Sequence, residues 1–173
     1  MRQKKTLLRM AVAAGLLGSV TSHAAWACIT PAEVKADQVR YLDMQLRVVA
    51  LRCRQVNPRI SDLYNAFVHK HRAALQASRK PVEGYLSRLT DMSMDSYVTK
   101  TANHISHHSM KSANFCALGA AVARLAATED DPLVLLDLLP VSYDLKHPVC
   151  RRSPDIDPVT ADAGYTQAES IQP

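Results

Sequence analysis

TPAEVKADQVRYLDMQLRVVALRCRQ, residues 30–55, is the stretch whose reading decides the fold. Thr30 can cap a helix, Pro31 suits the first helical position, and Glu33 completes a capping box. Val34, Gln38, Leu42, Leu46, Val49 and Cys53 then recur at spacings of three and four, which is the pattern of one helix face. The spacing predicts a helix from Pro31 to about Gln55, with Cys53 on its core side one turn past Val49. Asn57-Pro58 breaks the pattern.

The same period continues downstream. Ile60, Tyr64, Phe67, Val68, His71 and Leu75 share a stripe, so a second helix is expected over residues 60–77. Residues 78–81, ending in Pro81, read as a turn. Val82, Tyr85, Leu86 and Leu89 predict a short third helix. After a break over 91–94, residues 95–110 read as a fourth helix with Val98, Thr101, Ala102 and Ile105 inward. Asn114 is the expected cap of a fifth helix to Ala127, with Phe115, Leu118, Val122 and Leu125 as its stripe. Asp131 and Pro132 start a last short helix, and residues 133–139, apolar all round, are expected to be deeply packed. No convincing β-type alternation appears. The expected fold is all-α, an irregular bundle of four to six helices with two disulfides.

Upstream of this body the chain changes character. Arg2, Lys4, Lys5 and Arg9 precede an apolar run, and small residues follow it up to Ala27. This reads as a secretory signal peptide over residues 1–27, cleaved near Ala27. The apolar run is about half the ~20 residues needed to span a bilayer. An alternative makes Cys28 a lipidated first residue, but Ala25 and the bulky Trp26 fit that signal poorly. The helical domain then covers residues 28–150. Residues 151–173, with Pro154, Pro158 and Pro173 among acids and small polar residues, are expected to be a flexible tail.

Export makes disulfides the expected state of the four cysteines. Four cysteines allow three pairings. Cys53 and Cys116 both fall on helices and face inward, while Cys28 and Cys150 lie at the two ends of the body. The pairing expected on that ground is Cys53–Cys116 and Cys28–Cys150. No Cys-x-x-Cys occurs, and spacings of 25, 63 and 34 residues match no compact zinc pattern.

Signal removal also changes the charge. The whole chain carries a net charge of +5, but four of its 21 Lys and Arg lie in the leader, leaving 17 basic against 16 acidic residues. The basicity therefore gives no support to nucleic-acid binding. Within the mature chain, residues 31–124 hold 14 basic and 7 acidic residues, and residues 129–173 hold 3 and 9. A basic face is expected on the first two helices from Arg47, Arg52, Arg54, Arg59, Lys70 and Arg72. It suits an anionic envelope component or an acidic protein partner.

His104, His107 and His108, spaced by three and four, would face one way on a helix. Such a trio can share a divalent metal such as Zn or Cu, with His69 or His71 as a further ligand by identity only. No acid or thiol neighbours the trio, and a polar, solvated helix face that is His-rich is the plainer reading. There is no nucleophile elbow, phosphate loop or dinucleotide fingerprint. The aromatic residues Tyr64, Phe67, Tyr85, Tyr97 and Phe115 read as core packing.

Arg52-Cys53-Arg54-Gln55, then residues 62–68 (DLYNAFV) and Asn114-Phe115-Cys116, resemble a family of small exported bacterial proteins of unknown function. The resemblance implies an exported, helical, cysteine-containing protein and no activity. The sequence thus points to a periplasmic or secreted, non-enzymatic interaction module, with metal handling by the histidine trio as the alternative.

Overall fold

The capping box at Thr30 forms as the sequence predicts, and it launches the longest helix among the described residues. In the computed structural model, which describes residues 28–150, the Thr30 hydroxyl accepts from the Glu33 N–H at 3.2 Å and the Glu33 carboxylate accepts from the Thr30 N–H at 2.8 Å. Helix α1 runs Pro31–Arg52 and closes at Cys53, whose N–H donates to the Val49 carbonyl. It buries more than the one predicted face. Asp37, Tyr41, Met44 and Val48 are buried along with Leu42, Leu46 and Val49. The reason is topological: α1 packs against every other helical element of the body, so it has almost no solvent side. Each large side chain fully buried on it, such as Leu42 or Leu46, contributes about 1.5–3 kcal/mol.

The second and third helices divide elsewhere than expected. Helix α2 spans Ile60–Lys70 and helix α3 spans Arg72–Leu89. The break falls at His71, and the expected turn at 78–81 is helical, with Pro81 inside α3. His71 is buried against the Phe67 ring at 5.0 Å, and its Nε2 lies 3.0 Å from the Ala126 carbonyl. That anchor bends the chain ten residues before the proline. Pro81 forfeits one backbone hydrogen bond, but Val82, Tyr85 and Leu86 beyond it are buried in a second core cluster with Ile29 and Ala36, and this packing holds the helix together.

Helix α4 spans Met94–Ser109, and the Ser93 hydroxyl caps it by accepting from the Ser96 N–H. Helix α5 spans Phe115–Ala126. Asn114 precedes it but makes no side-chain cap. Its buried face is Phe115, Gly119, Ala120, Val122, Ala123 and Ala126. Leu118 and Leu125, expected inward, are exposed. Small residues win that face because Gly119 lies directly against Val49, where a Cβ would sit 2.6 Å from Val49 Cγ2. The last element is a 3-10 helix, Pro132–Leu138, capped by Asp131, whose side chain accepts from the Leu133 N–H. It is not buried all round: Leu135 and Leu139 enter the core, while Val134 and Leu138 are exposed.

The fold is therefore all-α, with five α-helices and one 3-10 helix among the described residues. Both disulfides pair as expected, Cys28 with Cys150 and Cys53 with Cys116. Residues 140–150 form a strap that returns along α1. The Tyr41 hydroxyl donates to the Val141 and Ser142 carbonyls at one end. At the other end Ile29 and Val149 form a parallel bridge, with Ile29 N–H to Pro148 O and Cys150 N–H to Ile29 O. The expected leader, residues 1–27, and tail, residues 151–173, lie outside the described residues.

Candidate functional site

One buried carboxylate organises the strap side of α1. Asp37 is 8 % exposed, and three tyrosine hydroxyls converge on it. Tyr85 from α3 donates to Oδ1 at 2.5 Å, Tyr97 from α4 donates to Oδ1 at 2.7 Å, and Tyr143 from the strap donates to Oδ2 at 2.7 Å. Three separate elements are thereby tied to one side chain of α1. Burial pushes all three phenols well above the usual tyrosine range, and the Asp37 charge pushes them further. They stay protonated as donors at any physiological pH. Tyr41, packed edge-on to Tyr143 at 5.3 Å, is pushed up to about 12, by burial first and by Asp144 second.

Over this cluster lies a cavity of about 430 Å3, within the range typical of small-molecule sites. Its walls hold Tyr41, Tyr85, Tyr97 and Tyr143, with Ile29, Leu86, Met92 and Leu145 as apolar surface. Lys100, His104, Asp144, Lys146 and His147 also line it. Lys146 is paired with Asp144.

A second depression, of about 410 Å3, lies between α1, α2 and the N-terminal half of α3. Four arginines line it, Arg40, Arg47, Arg72 and Arg79, together with one carboxylate, Asp43. Asp43 is already engaged: it accepts from Arg47 Nη2 at 3.1 Å and from the Tyr64 hydroxyl at 3.0 Å. Arg79 is paired with Glu83. Arg40 donates from Nη2 to the Leu75 carbonyl, but its buried Nε has no partner among the described residues. Burial lowers the Arg40 pKa and the neighbouring Arg79 and Arg47 add repulsion, against an opposing pull from Asp43. Four guanidiniums thus meet two carboxylates, Asp43 and Glu83, each already engaged, which leaves an excess of positive charge.

The sequence-predicted residues distribute unevenly over these features. Arg47 and Arg72 of the expected basic face line the groove, whereas Arg52, Arg54 and Arg59 are exposed around the α1–α2 turn. The histidine trio lies on the last turns of α4. His104 and His108 have ring centroids 4.4 Å apart, and His107 lies 6.0 Å from His108. Burial, the His108 charge and Lys146 lower the His104 pKa. No group of three or more His, Cys, Asp or Glu placed to hold a metal ion occurs among the described residues. His71 is committed to the core, and His69 is exposed on α2.

Sequence reasoning missed Asp37, Tyr143, Arg40 and Arg79. Asp37 had one signal: it follows Val34 by three residues, so it borders the apolar stripe, and a charge there needs partners. The tyrosines were read as packing because periodicity reports which side a ring faces and not where its hydroxyl ends. No family model, curated protein or solved structure matches the chain.

Proposed function

We propose that this protein is an exported, non-enzymatic helical module that binds a phosphate-bearing anionic component of the cell envelope through the arginine groove. The observation that carries the reading is Arg40, Arg47, Arg72 and Arg79 around one depression whose only lining carboxylate is already bonded. Guanidinium groups match phosphate oxygens bidentately. An anion seated there relieves the repulsion at Arg40. Export is supported by the two disulfides. No helix among the described residues is long and apolar enough to cross a membrane. The Cys28–Cys150 bond uses the sulfur that lipidation of Cys28 would need, which favours a leader cleaved near Ala27 and no lipid anchor.

The test is co-sedimentation of the purified oxidised protein with phosphatidylglycerol vesicles and with phosphatidylcholine vesicles. Anionic vesicles should bind at least tenfold more tightly, Arg72→Glu should remove most of that preference, and salt should weaken it. Equal binding to both vesicle types, or an unaffected Arg72→Glu, rejects the reading.

A second reading rests on the close His104–His108 pair. A lowered His104 pKa keeps that imidazole neutral and metal-competent near pH 7. Zn or Cu would sit on His104 and His108 with His107 alongside. Calorimetric titration of the wild type against a His104→Ala, His108→Ala variant decides it: no heat, or heat unchanged in the variant, ends the idea.

A further inference from the structure

We infer that the cavity over Asp37 is a binding site for a small methylated organic ammonium, a quaternary nitrogen carrying an apolar substituent. The cavity is distinct from the arginine groove. It is built from the N-terminal half of α1, the C-terminal half of α3, α4 and the strap, so its test does not depend on the fate of the envelope-binding proposal.

The charge of the site comes first. Asp37 is buried, and no ion pair reaches it among the described residues. Its partners are three neutral phenols, so the inner end of the cavity carries an uncompensated negative charge. The cations that line the cavity, Lys100 and Lys146, are both exposed, and Lys146 is already paired with Asp144. Solvent and salt weaken the exposed charges without abolishing them, and weaken the buried one much less. A cation that enters is therefore favoured over an anion.

The tyrosines then choose the kind of cation. Tyr41, Tyr85, Tyr97 and Tyr143 line the wall, and a tyrosine ring attracts a cation through its quadrupole, more strongly when the cation is desolvated. For Tyr85, Tyr97 and Tyr143, donation of the hydroxyl proton toward Asp37 leaves negative character on the phenol and enriches its ring. A primary ammonium brings three N–H donors and needs an acceptor for each. Asp37 Oδ1 already accepts from Tyr85 and Tyr97, and Oδ2 from Tyr143. A methylated nitrogen needs no hydrogen bonds, spreads its charge over its methyl groups, and suits aromatic walls. Ile29, Leu86, Met92 and Leu145 would take the apolar substituent.

The strap supplies Tyr143 and Leu145, and the Cys28–Cys150 disulfide fastens its end. The cavity is thus preorganised by the oxidised state, which reduces the ordering that binding must supply.

The experiment is calorimetric and NMR titration of the oxidised full protein with four probes of equal chain length: hexyltrimethylammonium, hexylammonium, hexanol and hexanoate. Hexyltrimethylammonium should bind at least tenfold more tightly than hexanol or hexanoate, and more tightly than hexylammonium. Shifts should centre on Leu86, Met92 and Leu145. Asp37→Asn should weaken hexyltrimethylammonium at least tenfold. Lys100→Glu, at an exposed position that leaves the core untouched, should tighten it about threefold through the removed repulsion. Because that variant does not disturb the Asp37 cluster, it decides the matter even where Asp37→Asn fails to fold. The inference is overturned by hexanoate or hexanol binding as tightly as hexyltrimethylammonium, by hexylammonium binding more tightly, by an unchanged Lys100→Glu, or by the absence of saturable binding.

Discussion

Asp37→Asn tests whether one buried carboxylate holds three elements of this fold together. The substitution keeps size and shape and removes the charge. Hydrogen bonds to a charged acceptor are worth about 1.5–3 kcal/mol each and neutral ones about 0.5–1.5 kcal/mol. The Tyr85 and Tyr97 bonds to Oδ1 each weaken by about 1 kcal/mol on that scale. The third is worse, because an amide NH2 then faces the Tyr143 hydroxyl that donated to Oδ2, and that hydroxyl has to rotate to accept. Against this, an amide is easier to desolvate than a carboxylate. The net expectation is a loss of about 2–3 kcal/mol, or roughly 10 °C in Tm for a body of this size. Urea unfolding of the oxidised protein, followed by far-UV circular dichroism at pH 7, measures it with the m-value as a check on the unfolded state. A double-mutant cycle adds specificity. Tyr143→Phe should cost about 1.5–3 kcal/mol in the wild type and under about 0.5 kcal/mol beside Asp37→Asn, since the charged partner is already gone. A loss below about 0.5 kcal/mol for Asp37→Asn, or stabilisation, would refute the hub, for it would mean that desolvating the carboxylate cancels what its three bonds contribute.

Two glycines in helices give opposite expectations. Gly84→Ala meets nothing within 4 Å and should stabilise by about 1 kcal/mol from helix propensity, whereas Gly119→Ala drives a Cβ to 2.6 Å from buried Val49 and should destabilise by about 1–3 kcal/mol; thermal melts of both variants, with Val49→Ala restoring Gly119→Ala, check the pair. Replacing Cys28 and Cys150 by Ser opens a closure of 122 residues, worth about 4–5 kcal/mol by chain entropy, and hydrogen exchange should show residues 142–149 losing protection before α1 does. Alkaline titration followed at 295 nm should find Tyr41, Tyr64, Tyr85, Tyr97 and Tyr143 ionising above the free value. Because these folded-state pKa values are raised, their contribution is fully present below about pH 10 and is lost as pH rises beyond it; a normal single-step titration near pH 10 without unfolding would contradict the buried cluster.

Local signals carried the parts of this fold that local physics decides. Thr30 and Glu33 satisfy each other within one turn, and Asp131 caps its own next residue but one, so both were legible without any knowledge of the rest of the chain. The cysteine pairing was legible because Cys53 and Cys116 fall on inward helix faces while Cys28 and Cys150 lie at the two ends of the body; in the fold, the contact of Gly119 with Val49 brings Cys53 and Cys116 together. What failed was whatever depended on a distant neighbour. Pro81 is a strong breaker by itself, yet the chain bends at His71, because the imidazole meets the Ala126 carbonyl fifty-five positions away. Leu118 and Leu125 fit the stripe of α5, but the helix turns Gly119 onto Val49 of α1 and buries Phe115, Ala120, Val122, Ala123 and Ala126 instead.

The candidate sites follow the same division. Arg47 and Arg72 were visible as part of a basic run, while Arg40 and Arg79 join them only because α3 folds back along α1 and turns both side chains into one groove. Asp37 needed three partners at separations of 48, 60 and 106 residues, and no window of sequence holds such a set. The last of those partners belongs to the strap, whose course depends on the disulfide between the two ends of the body. Oxidation of Cys28 and Cys150 therefore does more than staple the domain: it brings Tyr143 to the carboxylate that Tyr85 and Tyr97 already share, and so completes a wall that α1, α3 and α4 leave open.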